Sequence, residues 1–222
     1  MKGFVLSFAL IVGLLASAST AMAQTVNMNR YITLTVTNGA AIHLDFKAAA
    51  KGTPVRIVSG STTQNITVGT GWTGYHTYTA GSTTMKVYGD ITAFRCDQNR
   101  ANLTDIDLSH NTQLTILYCE GNTLSSLDVS KNTQLTRLDC YNNNLTTLDV
   151  SGCTQLTVLN CHNNSLNSLD VSKNTQLTRL SCFSNQLSSL DISHNTQLTG
   201  VYCYGNNLST QALDDIYCAL PD

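Results

Sequence analysis

Eight cysteines are the side chains of this 222-residue sequence with the widest choice of chemistry, because thiols form disulfides, bind metal ions or act as nucleophiles. Six recur at one position of a repeat, the last five of them 21 residues apart: Cys96, Cys119, Cys140, Cys161, Cys182 and Cys203. Such a period stacks them along neighbouring strands about 4.8 Å apart with parallel Cβ vectors. A disulfide needs Cβ atoms about 3.8 Å apart and converging vectors. We therefore predict six reduced, buried thiols that pack as small hydrophobic groups.

Metal chemistry is the alternative interpretation of this column. Zinc needs a tetrahedron, which a straight row of thiols cannot form, and the sequence has no CxxC pair. Cys153 and Cys218 lie outside the column, and a contact between Cys218 and Cys203 at its end is a further alternative. A second column contains only aspartates: Asp107, Asp128, Asp149, Asp170 and Asp191. Calcium could relieve their repulsion, but we expect them to accept backbone N–H bonds, and we predict no metal and no cofactor.

The remaining polar residues form no recognisable catalytic pattern. The sequence has no HExxH motif, no nucleophile elbow and no phosphate-binding loop. His43 and His76 have no evident partner, and His110 and His194 occupy the same turn position as lysines in other repeats. We predict that the protein is not an enzyme.

The element that positions these columns is a 21-residue repeat. From Leu114 the sequence reads LTILYCEGNTLSSLDVSKNTQ, and three further copies follow with little change. A fifth copy starts at Leu198, and a looser copy precedes the others around Cys96. A period of this length predicts a stacked solenoid, in which each coil contacts only its neighbours.

Each copy opens with the pattern L-x-x-L-x-C-x-x-N-x-L, as at Leu114, Leu117, Cys119, Asn122 and Leu124. The pattern resembles the leucine-rich repeat signature, and its cysteine and its LDVSxNTxL rhythm are similar to those of bacterial internalin-like surface proteins. The resemblance covers about half of the chain. It implies a leucine-rich repeat horseshoe with a parallel β-sheet on its concave face, short convex turns and a non-enzymatic role in binding or adhesion.

Strand geometry assigns a role to each position of the pattern. Leucine and cysteine should point inward and their neighbours outward, because side chains alternate along a strand. One asparagine per coil should bond to turn backbone inside the solenoid, where each unpaired group would cost about 1–3 kcal/mol. These structural asparagines are Asn99, Asn122, Asn143, Asn164, Asn185 and Asn206.

The outward positions of the concave sheet form the predicted binding site. They include Asp97, Glu120, Asp139 and Ser181, and they vary between coils while the core positions stay fixed. Aromatic side chains suit partner recognition because they dominate binding hot spots at little entropic cost. The alternative is that these residues are ordinary strand formers. The predicted partner-binding residues are Tyr118, Arg137, Tyr141, His162, Arg179, Phe183, Tyr202 and Tyr204.

The remaining segments complete the domain organisation. Lys2, an apolar run from residue 4 to 15 and Ala21-Met22-Ala23 predict a signal peptide over 1–23. Residues 24–90 read as a β-rich cap, in which Trp72, Tyr75 and Tyr78 are expected to fill the core rather than to form a binding platform. Residues 91–208 form six repeats. Residues 209–222 predict a capping helix with acids in its first turn and an apolar face of Leu213, Ile216, Tyr217 and Leu220.

Charge and targeting limit the function classes. The net charge is −2 and no basic run occurs, so we expect no nucleic-acid partner. After the signal peptide we expect no transmembrane segment. We predict a monomeric protein, secreted or on the cell surface of a bacterium, that binds an extracellular protein through the concave face. The alternatives are a glycan-binding module and a structural spacer within a longer surface protein.

Overall fold

The computed structural model describes residues 25–219, so the predicted signal peptide and the last three residues lie outside it. Six strands build the N-terminal cap: β1 (Tyr31–Val36), β2 (Ala41–Ala48), β3 (Thr53–Ser59), β4 (Thr62–Val68), β5 (His76–Thr79) and β6 (Thr84–Tyr88). Their inward residues alternate, as in β1, where Ile32, Leu34 and Val36 are buried. Strand β5 has only one buried residue, Tyr78, and this lack of alternation explains why sequence patterning misses it.

The repeats form a solenoid with six parallel strands on one side. These are β7 (Ile91–Arg95), β9 (Ile116–Tyr118), β10 (Arg137–Asp139), β11 (Val158–Asn160), β12 (Arg179–Ser181) and β13 (Gly200–Tyr202). The register is strict, since the central Leu138 faces Leu117 on one side and Leu159 on the other. The opposite side of each 21-residue coil consists of turns and extended chain. The predicted leucine-rich repeat architecture is confirmed.

The cap and the first coil share both of their sheets. Strand β2 pairs antiparallel with β7 and so extends the parallel sheet. Strand β8 (Leu103–Asp107), on the return side of the first coil, pairs antiparallel with β1 in the cap. The Phe46 and Phe94 rings stack 5.7 Å apart across this junction. The boundary at residue 90 therefore separates two sequence patterns but not two cores, and the cap covers the strand edge of the first coil.

The helix α1 (Thr210–Ala219) follows the last coil, and the Ser209 hydroxyl caps it by accepting the Ala212 N–H at 3.1 Å. Two sequence expectations for this segment are wrong. Because the helix starts at Thr210, Asp214 and Asp215 lie beyond its first turn. Only Ile216 of the proposed apolar face is buried, whereas Leu213 and Tyr217 are 48% and 80% exposed. Leu220 lies outside the described residues.

Candidate binding face on the concave sheet

The asparagine column fixes the backbone beneath the concave face. The Asn143 amide donates to the carbonyls of Cys119 and Cys140 at 3.0 and 3.1 Å, and its oxygen accepts the Leu124 N–H at 3.0 Å. Asn164, Asn185 and Asn206 repeat this pattern one coil further on each time. In the first coil, Asn99 instead bonds to the backbone of His43 in the cap. Asn99 thus ties the first coil to the cap, and each asparagine from Asn122 onward ties adjacent coils together.

The cysteine column lies against the same core. All six thiols are free, and five are fully buried, with Cys203 of the last coil half-buried. Burial raises the pKa of every thiol in the column, so the neutral, unreactive form is favoured. Cys218 is likewise free and exposed, and no disulfide joins it to Cys203.

A second buried column, on the convex side, was missed by sequence reasoning. Asn132, Asn174 and Asn195 are fully buried and donate to carbonyls of the preceding coil, as from Asn195 to Asn174 at 2.9 Å. In the middle coil the equivalent position is Cys153, whose sulfur makes only long contacts of 3.6 Å to the carbonyls of Val129 and Asn132. The signal was present in the repeat, because SGCTQ replaces SKNTQ there.

The aspartate column lies beside these turns and stays exposed. Each carboxylate accepts the N–H of the serine two residues later, for example Asp149 from Ser151 at 2.9 Å. Hydrogen bonds from the same serines lower the pKa of these aspartates. The column is a set of turn caps, as the sequence predicted.

The concave face, formed by the outward side chains of the sheet from β5 to β13, carries an aromatic stack. The Tyr141, His162, Phe183 and Tyr204 rings follow one another with centroids 4.3, 4.1 and 4.5 Å apart and planes within 16° of parallel. The first three are half-buried and Tyr204 is 63% exposed. Because the ring faces contact each other, the stack presents mainly ring edges and hydroxyl groups to solvent.

A second row alternates cations with aromatic rings at the N-terminal end of the face. Lys47 lies over Trp72 at 5.0 Å, and Arg95 lies over Trp72 and Tyr118 at 4.1 and 4.6 Å. Arg137 lies over the same Tyr118 ring, at 5.2 Å. The expectation that Trp72 and Tyr75 fill the cap core is thus wrong. Only Tyr78 is buried there, because the segment before β5 crosses toward the concave face.

Carboxylates lie beneath these rows, and their burial corrects the expected outward exposure of Asp97, Glu120 and Asp139. The Asp139 carboxylate accepts Arg137 at 2.9 Å and Asn160 at 2.8 Å. The Tyr75 hydroxyl lies 2.7 Å from both Asp97 oxygens. Ser181 is also buried. Overlying tyrosine and arginine side chains cover these shorter ones, an arrangement that strand alternation alone does not reveal.

Glu120 and His162 are among the titratable groups on the face whose pKa values are shifted. Burial, together with the charges of Asp97 and Asp139, raises the pKa of Glu120 to about 7. Burial lowers the pKa of His162 between its two ring neighbours. In the folded protein the neutral form of Glu120 is therefore favoured below about pH 7, and the neutral form of His162 is favoured at neutral pH.

The predicted partner-binding residues share this one face but differ in exposure. Tyr118 and Arg137 belong to the cation–aromatic row, and Tyr141, His162, Phe183 and Tyr204 form the stack. Arg179 and Tyr202 are exposed. Arg137 pairs with Asp139, whereas Arg179 has Ser181 at the equivalent position. Within residues 25–219, no three histidine, cysteine, aspartate or glutamate side chains are arranged to hold a metal ion.

Comparison with known proteins supports the repeat assignment. A family model for leucine-rich repeats (two copies) matches residues 133–174. No curated protein matched the chain. Across the described residues, no helix is both long and apolar enough to cross a membrane.

Solved structures extend this comparison. The functional domain of InlJ from Listeria monocytogenes, which includes a cysteine ladder, is 41% identical with a TM-score of 0.51. The match covers 52% of this chain but only 25% of that one. An internalin, InlF, of the same organism is 25% identical over 49% of this chain and 34% of its own, with a TM-score of 0.45. A leucine-rich repeat protein of Leptospira interrogans is 23% identical over 50% of this chain and 36% of its own, with a TM-score of 0.41. The coils of this chain are therefore leucine-rich repeats, and they are similar to the cysteine-containing repeats of the internalin InlJ.

Proposed function

We propose that this chain is an exported, non-enzymatic binding protein of a bacterial surface that recognises an extracellular protein through its concave face. The observation that carries the proposal is the stack from Tyr141 to Tyr204 on a rigid parallel sheet. Rings held by each other and by the strands lose little entropy on binding, which favours their use as interface anchors. The internalin-like repeats support a role in protein interaction or adhesion.

The ring arrangement favours a protein over a glycan. Sugar recognition by stacking needs open ring faces, but the faces of His162 and Phe183 are covered on both sides by other rings. Tyr204 at the end of the stack contacts only Phe183 in this row and is 63% exposed. Within the stack, a glycan would therefore find an open ring face mainly at Tyr204, whereas a protein could contact the edges of the whole stack.

A binding screen tests the proposal. The protein would be screened against extracellular proteins and a glycan array beside a variant with Tyr141, Phe183 and Tyr204 changed to serine. A control changes three exposed residues outside the strands, Thr146, Asn167 and Ser188, to alanine in the coils that carry Tyr141, His162 and Phe183. A protein hit that the first variant loses and the control keeps is the expected result.

Other outcomes would assign the protein differently. A hit retained by both folded variants would move the binding site to another surface. A glycan hit that depends on Tyr204 alone would favour the glycan-binding alternative. Failure to bind any probe would favour a structural spacer.

A further inference from the structure

We infer that the N-terminal part of the concave face binds a basic side chain of the partner, a lysine or arginine, at Glu120. The inference rests on the proposed function, because it names the chemistry of the partner at the same face. It concerns a buried carboxylate that is not part of the cysteine, asparagine or aspartate columns of the solenoid.

Three of the four carboxylates in this part of the face have close partners. Asp45 accepts the Thr73 hydroxyl at 2.7 Å, Asp97 accepts the Tyr75 hydroxyl, and Asp139 accepts Arg137 and Asn160. Glu120 differs from them, although it is only 8% exposed. Its Oε1 lies 3.5 Å from the Tyr141 hydroxyl, and its Oε2 has no hydrogen-bond partner among the described residues.

An ionised carboxylate without a partner is costly to bury, whereas a paired one is not. Burial and the nearby charges of Asp97 and Asp139 hold the pKa of Glu120 near 7, which is the expected mark of a missing counter-ion. The charge of Arg95 offsets this rise only in part, since Arg95 pairs with Asp45, Arg137 pairs with Asp139, and neither arginine forms an ion pair with Glu120. A cation from the partner would stabilise the ionised form of Glu120.

Cations already lie beside rings in this part of the face. Tyr118, two residues before Glu120, packs against the guanidinium groups of Arg95 and Arg137, so the carboxylate of Glu120 and not this ring would hold the partner's cation. The Tyr141 hydroxyl contacts Oε1 of Glu120 only at 3.5 Å, a contact that a cation of the partner would replace. A metal ion is not the matching ligand, because no metal-binding group of side chains occurs within residues 25–219.

The probes are n-butylammonium, methylguanidinium and, as a neutral analogue, n-butanol. Each is titrated at pH 8 into the isotopically labelled protein, and backbone amide shifts are followed by NMR. We expect saturable shifts at Gly121 and Tyr118 with either cation and at least ten-fold weaker binding in Glu120→Gln. Asp149→Asn, which removes an exposed convex carboxylate, should bind like the unmodified protein. Tyr141→Phe, which uncovers Oε1, should bind at least as tightly.

Equal shifts with n-butanol, retained cation binding in Glu120→Gln, or no saturable shift at these amides would overturn the inference. Spectra that overlay away from the site establish that the variants fold. A protein partner found in the screen while both cations fail to bind would refute this inference alone. Cation binding at Glu120 with no protein partner in the screen would refute the proposed function instead.

Discussion

At the scale of single residues, one asparagine side chain per coil makes several hydrogen bonds to the backbone. Its amide joins the carbonyls of two successive coils, and its oxygen accepts an N–H from the coil before. For Asn143, the Leu124 N–H depends on this one side chain, and the carbonyls of Cys119 and Cys140 each accept from it and from one further asparagine. A hydrophobic residue could not make these bonds.

Asn143→Ala should therefore lower the free energy of unfolding by about 3 kcal/mol, because it leaves the Leu124 N–H unpaired and removes one of the two amide donors from the carbonyls of Cys119 and Cys140. Chemical denaturation with both variants and the unmodified protein measures the loss. Asn144→Ala, at an exposed neighbour of the same residue type, is the control and should change stability by less than about 0.5 kcal/mol. Equal losses would contradict the assignment of the buried column.

Replacement of Cys153, in contrast, should stabilise the protein. Since Asn132 and Asn174 fill the equivalent space in adjacent coils with bonds of 2.8 to 3.4 Å, Cys153→Asn should stabilise the fold by about 1 kcal/mol. The denaturation midpoint should rise with an unchanged m-value. The matched control is Cys161→Asn, which places an amide among apolar core residues and should destabilise. A gain in both variants, or in neither, would count against the second column.

Glu120 makes the stability of the folded protein depend on pH, and the shift of its pKa fixes the sign of that dependence. Its folded-state pKa of about 7 exceeds its ordinary value of 4.5, so the folded protein holds the proton more strongly. The contribution of Glu120 to stability is therefore greatest below pH 4.5 and declines as the pH rises to about 7, by up to about 3 kcal/mol. Glu120→Gln should match the unmodified protein near pH 4 and exceed its stability at pH 8. A difference independent of pH would contradict the shift.

At the scale of elements, periodic segments were predictable and aperiodic ones were not. The 21-residue phase places Leu138 and Cys140 inward without any reference to neighbours beyond the next coil. The position of Trp72 depends on how the chain crosses from the cap to the sheet, which no local period encodes. The same holds for α1, where helical spacing was correct but packing against one coil buries Ile216 alone.

On the concave face, too, periodic features were predictable from the sequence and contacts between coils were not. Alternation along each strand correctly assigned Tyr141, His162, Phe183 and Tyr204 to one surface. It could not show that their rings stack, nor that Tyr75 and Arg137 would cover Asp97 and Asp139. These features depend on side-chain length and rotamer across coils. Burial of short residues beneath long ones is a tertiary effect.

At the scale of the whole molecule, the cap and the repeats should unfold as one unit. The pairs β1–β8 and β2–β7 join them through both sheets. Trp72, the single tryptophan, reports on the cap and its contact with Tyr118, whereas far-UV circular dichroism reports mainly on the coils. We expect coincident denaturation curves from the two probes. A Trp72 transition at lower denaturant would show that the cap opens independently.

The coil-to-coil register affects how the length of the repeat array can evolve. The strands β7 and β9 to β13 are separated by five steps of about 4.8 Å, so the repeats alone span about 24 Å of the face. Loss or duplication of one in-phase 63-nucleotide segment, three nucleotides for each of the 21 residues, would shorten or lengthen that span by one step. Every ladder would remain continuous. A partner that must reach both the cation–aromatic row and Tyr204 would be sensitive to this change. Recombination between the repeats could therefore alter partner choice without any point mutation in the face.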